Sequence, residues 1–292
     1  MHFVEKKPEE KRIDLDNKLK SNKILRIPGA YNPLTAKVIE EIGYDGVYVS
    51  GGVMSNDLGY PDIGLTTLND VSNRSKQIAR VTNLPTIVDV DTGFKSCKET
   101  VQTFENFGIS AIHLEDQIEQ KRCGHRPNKE LVSATEMQNR IKAAVDAKTD
   151  SDFMIMARTD AIANEGLNSA LDRAISYVEA GADAIFTEAV TEIDQYKKFS
   201  ENLNVPILAN ITEFGKTPLF SKKELKEAGI DMILYPLSAF RAMSKAAEEV
   251  YSEILEKGTQ ESLIDKMQTR DELYEVLDYH TFEKKLDDLF NE

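Results

Sequence analysis

Residues 121–128 read KRCGHRPN. One thiol, Cys123, sits there among Lys121, Arg122, His125 and Arg126, with Glu115 and Asp116 a few residues upstream. A cationic neighbourhood favours thiolate over thiol, which would make Cys123 a reactive group and a proton shuttle. Gly124 lets the loop backbone approach a ligand closely. A Cys in a basic loop is ordinarily just a solvated loop residue, so the motif gains meaning only from what surrounds it.

Other residues able to do chemistry recur where short apolar runs end. GVYVSGG (46–52) carries Tyr48, Ser50, Gly51 and Gly52, and PTIVDVDTG (85–93) carries Asp89 and Asp91. AIHLED (111–116) ends in Glu115 and Asp116, and FMIMARTD (153–160) in Arg158, Thr159 and Asp160. DAIFTEA (183–189) holds Glu188, and VPILANIT (205–212) holds Asn210 and Thr212. Taken singly, an acid at a strand end is a helix N-cap. Taken together they are harder to dismiss, because an unpaired buried charge is expensive and clustered carboxylates need a cation. The DVD spacing predicts that Asp89 and Asp91 share one face of a strand. With Glu115 from the next run they would form a hard oxygen site. The spacing of Cys and His fits no zinc motif. Mg²⁺ suits a few carboxylates plus waters and substrate oxygens, and Mn²⁺ could replace it. The SGG triplet can present backbone N–H groups to a carboxylate, or be a plain turn.

The elements that would position these groups follow from the alternation of the chain. Two further apolar runs, ILRIPGA (24–30) and DMILYPLS (231–238), bring the number to eight, each the length of a buried strand. Helical spacing fills the gaps. NPLTAKVIEEIGYD places Leu34, Val38 and Ile42 four apart, and SALDRAISYVEAGAD places Leu171, Ala174, Ile175 and Val178 on one face. Gly43, Gly181 and Gly229 read as helix C-caps, and Ser133 with Glu136 as a capping box. Eight strand–helix units predict a (β/α)₈ TIM-type barrel, whose reactive groups gather at strand C-termini. An open doubly wound sheet would normally show a glycine-rich phosphate loop after its first strand, and IPGAYNP is not one. The barrel is expected over 1–258 and a C-terminal helical arm over 259–292. There, Leu273, Tyr274, Val276 and Leu277 need something to cover them, on the barrel or on a neighbouring subunit.

Composition bounds the rest. The chain has 292 residues, 41% hydrophobic and 29% charged, with a net charge of −14. So acidic a chain is poorly suited to nucleic acid or anionic membranes, and must hold any anionic substrate by clustered Arg and Lys or by a metal. The charged opening segment has no apolar core of signal-peptide length, and no run of about 18 apolar residues would span a membrane. Two cysteines, Cys97 and Cys123, make no disulfide framework. A cytoplasmic protein is the expectation, with Cys97 a structural residue.

VYVSGG, VDVDTGF, HLEDQ, KRCGHRPNK, MARTDA, ANITEFG, YPLSAFRAM and MQTRDELYE occur in this order from about residue 20 onward. Together they resemble the isocitrate lyase and phosphoenolpyruvate mutase superfamily, and the KRCGH core resembles its lyases. The resemblance implies a Mg²⁺-dependent carbon–carbon lyase acting on a small tricarboxylate. The short chain and the RPN that follows the core imply 2-methylisocitrate, split to pyruvate and succinate in propionate breakdown. Isocitrate and 2,3-dimethylmalate are the alternatives within the superfamily, and a non-catalytic metabolite-binding barrel the alternative outside it.

By the same resemblance, Ser50, Gly51 and Gly52 would hold a substrate carboxylate. Asp89 and Asp91 would hold the metal, with Glu115 assisting directly or through water. Cys123 would be the proton donor on a mobile loop with Gly124 and His125, and Tyr48 would meet the substrate hydroxyl. Arg158, Glu188, Asn210, Thr212, Arg241 and Arg270 would line the substrate pocket. The eighth helix would be exchanged between subunits of a homotetramer.

Overall fold

All eight apolar runs form strands, because each is a short Val- and Ile-rich segment closed by a glycine or a polar turn. The structure, a computed structural model, describes residues 4–126 and 129–290. Pro127 and Asn128, the end of the KRCGHRPN stretch, lie outside the described residues. The order is α1 (Pro8–Lys20), β1 (Leu25–Pro28), α2 (Pro33–Ile42), β2 (Val47–Val49), α3 (Gly51–Asp57), α4 (Leu68–Ala79), β3 (Thr86–Asp89) and α5 (Cys97–Asn106). Next come β4 (Ala111–Glu115), α6 (Ala134–Val145), β5 (Met154–Thr159), α7 (Ile162–Glu179), β6 (Ala184–Thr187), α8 (Ile193–Asn202), β7 (Ile207–Asn210) and α9 (Lys222–Glu227). The chain closes with β8 (Met232–Tyr235), α10 (Ser238–Lys257), a short 3₁₀ turn, α11 (Arg270–Leu277) and α12 (Tyr279–Phe290).

The strands pair in parallel around the sheet, and β1 also pairs with β8. A bridge between Gly29 and Tyr48 joins β1 to β2 and closes the barrel. Strand residues alternate between two cores. Val47, Val49, Val88, Ile112 and Ile155 face the helices. Leu25, Ile27, Tyr48, Ile87, Met156 and Phe186 fill the barrel interior. Continuing that period-two register upward sets the top layer: Ser50, Asp89, Glu115, Arg158, Glu188 and Asn210 all follow interior positions.

The bottom of the barrel is plugged by α1. Leu15 enters the interior core and is 1% exposed, a burial contributing about 1.5–3 kcal/mol. Arg12 locks the plug, donating to the carbonyls of Ile109 at 3.0 Å and Glu105 at 2.6 Å and to Asp150 at 2.6 Å.

Some local expectations need correction. On α2 the buried residues are Ala36 and Ile39, not the Leu34–Val38–Ile42 row, and Ile42 is exposed. Val38 and Ile42 instead line an open groove with Arg26, Gly29, Ile39 and Tyr235. Ser133 caps α6 by accepting from the Glu136 amide at 3.1 Å, but the Glu136 side chain turns to Arg140 at 3.4 Å, so the box is half formed. No residue of α10 is buried. The arm lies partly on its own barrel, with α11 against α2 and Leu273, Tyr274, Val276 and Leu277 half-buried. Among the described residues, no helix is long and apolar enough to cross a membrane.

Candidate active site

A cavity of about 60 Å³ sits at the strand C-termini, lined by residues from most of the barrel. Tyr48, Ser50, Gly52, Asp89, Cys123, Gly124, His125, Arg158, Glu188, Asn210 and Thr212 all border it. Gly51, Asp91 and Glu115 stand just behind this wall. Arg241, on α10, is set back at the rim, 3.8 Å from Glu213 and over the ring of Phe214. Arg270 is exposed at the first position of α11, and this chain lines the cavity without it.

The SGG triplet is no strand end. Ser50 caps α3, accepting from the Val53 amide at 3.3 Å, and the glycines open the helix. The Gly51 amide does meet a carboxylate, but it is Asp89, at 3.1 Å. Asp91 lies beyond β3 with a left-handed φ of 52°, a conformation Asp tolerates better than most residues. Both acids still reach one place: a Cβ on Gly51 would stand 3.0 Å from an oxygen of each. A side chain there would be tight and would push on both carboxylates.

Strand register explains the neighbours. It sets Asp89 beside His113 and Glu115 beside Arg158. Burial holds His113 near 4, so its ring is neutral, and Nε2 lies 2.7 Å from the Tyr48 hydroxyl. Burial pushes Asp91 up to about 6; Lys121 opposes the shift and Asp89 adds to it. Burial likewise raises Glu115 well above the usual carboxylate range, against the pull of Arg158.

Arg158 is gripped by three acids: Glu115 at 3.2 Å, Asp160 at 2.9 Å and Glu188 at 3.3 Å. Its guanidinium also covers the Phe186 ring. Asp116, by contrast, faces away and is structural, accepting from Thr159, the Asp160 amide and Tyr177 at 2.8–2.9 Å.

The cations of the loop are not arranged around the thiol. Lys121 is buried between Asp62 at 2.8 Å and Asp91 at 2.5 Å, while Arg122 and Arg126 are exposed, Arg122 at the edge of the cavity. Burial raises the Cys123 thiol, and Asp62 and Glu188 add to the shift. The expected thiolate is therefore corrected to a protonated thiol, which is the form a proton donor needs. His125 accepts from the Lys216 amide through Nδ1 at 3.1 Å, so its Nε2–H points at Glu188, 3.3 Å away. Gly124 has no room for a side chain: a Cβ would stand 2.3 Å from Arg158 Nη2 and 2.5 Å from Glu188 Cγ.

Lys121 was legible only as a nearby charge, and Asp62 not at all, since it sits mid-loop without a periodic marker. Among the described residues, Asn210 Oδ1, Thr212 Oγ1 and Glu115 Oε1 are buried without a hydrogen-bond partner. Buried polar atoms are normally paired, so these are acceptors and donors in waiting. No three His, Cys, Asp or Glu side chains among the described residues converge as a complete metal cage. Mg²⁺ does not require one: it binds through one or two carboxylates plus water and substrate. Asp89 and Asp91, side by side, fit that pattern.

A family model described as phosphoenolpyruvate phosphomutase matches residues 15–255. The chain is 54% identical to a 2-methylisocitrate lyase of Vibrio cholerae over 284 residues, covering 94% of this chain and 92% of that protein. Among solved structures it resembles 2,3-dimethylmalate lyase, with a TM-score of 0.87 at 31% identity over 94% and 93% of the two chains. It also resembles phosphonopyruvate hydrolase in complex with oxalate and Mg²⁺, with a TM-score of 0.84 at 29% identity over 94% and 97%.

Proposed function

The chain belongs to the phosphoenolpyruvate phosphomutase family, and on that premise we infer that it is a carbon–carbon lyase cleaving 2-methylisocitrate to pyruvate and succinate. The observation that carries this reading is Cys123 of the KRCGH loop, which borders the same cavity as Asp89 and Arg158 in a chain 54% identical to a 2-methylisocitrate lyase. The likeness to 2,3-dimethylmalate lyase is weaker, at 31% identity.

In the retro-aldol step the substrate hydroxyl gives its proton to the Tyr48 oxygen as Tyr48 passes its own to the neutral His113 Nε2, the substrate oxygen becomes the pyruvate keto oxygen, and the C–C bond breaks. The bonding pair stays on the succinate carbon. Cys123 donates its proton there, which is general acid catalysis. A magnesium ion on Asp89 and Asp91, with Glu115 reaching it through water, would supply Lewis-acid polarisation of the hydroxyl and carboxylate that become pyruvate; Mn²⁺ could serve the same donors.

Arg158 offers a planar guanidinium to a substrate carboxylate, and Asn210 and Thr212 add the polar atoms that now lack partners. The Gly51 and Gly52 backbone and Ser50 border the other side. Tyr48 lies within reach of the hydroxyl, held by His113. His125 and Glu188 support the loop. The cavity has room for only about five waters, so the loop must open to admit a tricarboxylate and shut to exclude water. Arg241 would reach the substrate from the rim. Arg270 would do so only from another arrangement of the arm or another subunit.

A homotetramer with exchanged eighth helices is part of the same proposal. It is supported by α10, which packs Phe240 on the barrel but has no fully buried residue, and by the groove beside α2. The two free thiols suit a reducing cytosol.

The deciding experiment incubates the protein with Mg²⁺ and, separately, 2-methylisocitrate, isocitrate and 2,3-dimethylmalate, and identifies the keto acid. The highest kcat/KM is expected for 2-methylisocitrate, with pyruvate as product and full loss of turnover under a chelator. Faster glyoxylate release from isocitrate would reassign the substrate, and no keto acid from any of the three would make the barrel a binding protein.

A further inference from the structure

Lys129 ends the KRCGHRPNK stretch, yet its ammonium is no surface charge: the side chain is 1% exposed. Its Nζ donates to the Gly124 carbonyl at 2.6 Å and to Asp160 Oδ1 at 2.7 Å. Asp160 in turn accepts from Arg158 Nε at 2.9 Å and Nη2 at 3.2 Å. Arg158 is the side chain against which Gly124 packs so closely that a Cβ would not fit. The four residues thus close a ring: lysine to loop carbonyl, loop glycine to arginine, arginine to aspartate, aspartate back to lysine. Cys123 is the residue next to that carbonyl.

The loop is held on its other side by a second buried group. The Gln117 amide donates to the Arg122 carbonyl at 2.9 Å and accepts from the Arg122 amide at 2.9 Å. Cys123 therefore lies between two fixed backbone points, Arg122 and Gly124, each held by a buried side chain outside the cavity. Neither Lys129 nor Gln117 borders the cavity.

We propose that Lys129 is a positioning residue that sets the Cys123 thiol for proton transfer, by tying the backbone of Gly124 to the aspartate that orients Arg158. The carboxylate grip and the proton donor are then placed by one ammonium. A lysine suits the task because it is a compact cation with several donors on one atom, able to serve a carbonyl and a carboxylate at once. Misplacement of a reacting group by about 1 Å costs on the order of 100-fold in rate. The inference rests on the lyase reading for its rate prediction, and on geometry alone for its second readout.

The test replaces Lys129 in a Cys97→Ser background, so that alkylation reports only Cys123. Lys129→Met keeps the length and removes the charge. Lys129→Arg keeps the charge, but its longer side chain pushes on the loop carbonyl. For Lys129→Met with an unchanged melting temperature, kcat is expected to fall about 100-fold with KM changed less than about threefold. Iodoacetamide is expected to alkylate Cys123 at least about tenfold faster than in the parent, because the loop backbone is released. A kcat and an alkylation rate both within about threefold of the parent would overturn the proposal. If Lys129→Met does not fold, the same pair of measurements on Lys129→Arg decides: slow turnover with a more reactive thiol supports the role, and parent-like values remove it. Should the parent itself release no pyruvate, the substrate reading fails, while the alkylation comparison still judges the tie between Lys129 and the thiol.

Discussion

Gly124→Ala is the most direct perturbation of the loop that carries Cys123. The added methyl would stand 2.3 Å from Arg158 Nη2, about 1 Å short of the 3.4 Å at which ordinary contact begins. The second obstacle, Glu188 Cγ at 2.5 Å, is no freer to yield. Arg158 is held by Glu115, Asp160 and Glu188, and Glu188 accepts from the Ala189 amide at 2.8 Å. The loop must therefore retreat by about 1 Å, carrying Cys123 with it. A displacement of that size costs on the order of 100-fold in rate, or about 2.7 kcal/mol of transition-state stabilisation.

The fold should not suffer, because the methyl can be relieved by the loop alone. The assay is continuous pyruvate release from 2-methylisocitrate with saturating Mg²⁺, together with a thermal melt. Gly52→Ala is the calibrating control: its Cβ would meet Asp62 Oδ2 at 3.2 Å, a clash of only a few tenths of an ångström, and a loss of no more than about fivefold is expected. A Gly124→Ala enzyme with kcat/KM within about threefold of the parent would refute the reasoning, since it would mean that the thiol need not sit where this packing puts it.

Three further outcomes follow from the same geometry. Cys123→Ser should lower kcat by about 10²–10⁴-fold with KM little changed, read in the same assay; near-parental turnover would remove the thiol from the chemistry. Because burial raises the thiol, its alkylation rate should climb with pH from 7 to beyond 9, each step in pH exposing more thiolate, whereas a plateau reached by pH 7 would contradict a protonated donor. Arg12→Met strands the carbonyls of Ile109 and Glu105 and the carboxylate of Asp150, and should destabilise the barrel by about 2–4 kcal/mol in urea unfolding while leaving kcat at 25 °C intact; a change below about 0.5 kcal/mol would mean that the α1 plug is held by apolar contact alone.

The sequence makes the strand ends legible because period-two alternation carries an interior position directly into the next polar residue. Asp89, Glu115, Arg158, Glu188 and Asn210 all follow that rule. What it conceals is partnership. Lys121 reads only as a charge beside Cys123 and Lys129 carries no signal, because a lysine is almost never fully buried unless paired, and their partners Asp62 and Asp160 are distant in sequence or hidden at a strand end. For the same reason the basic residues around Cys123 suggested a thiolate. Adjacency along the chain gives the charges but not the acids that consume them. On α2, apolar spacing identified the helix but did not reveal its buried face. Val38 and Ile42 are apolar for the groove beside β1, while the barrel core takes the smaller Ala36 together with Ile39. Arg241 and Arg270 lie outside the strands and carry no periodic signal, so only a resemblance to relatives could single them out.

The charge balance of the cavity connects its two chemical tasks. Asp62, Asp89, Asp91, Glu115, Asp160 and Glu188 are met by Lys121, Lys129 and Arg158. Each cation is already committed: Lys121 to two carboxylates, Arg158 to three, and Lys129 to a carboxylate and a carbonyl. Burial has the largest effect on Cys123; the His125 backbone and Arg158 oppose it, and Asp62 and Glu188 add to it, keeping the proton in place. The same surplus of buried carboxylate is what a divalent cation would relieve, since clustered acids in a low-dielectric site are costly without one. The acids that would draw a metal, Asp89 and Asp91, are not the pair that acts on the thiol, Asp62 and Glu188, but Lys121 links the two sets by bridging Asp91 and Asp62.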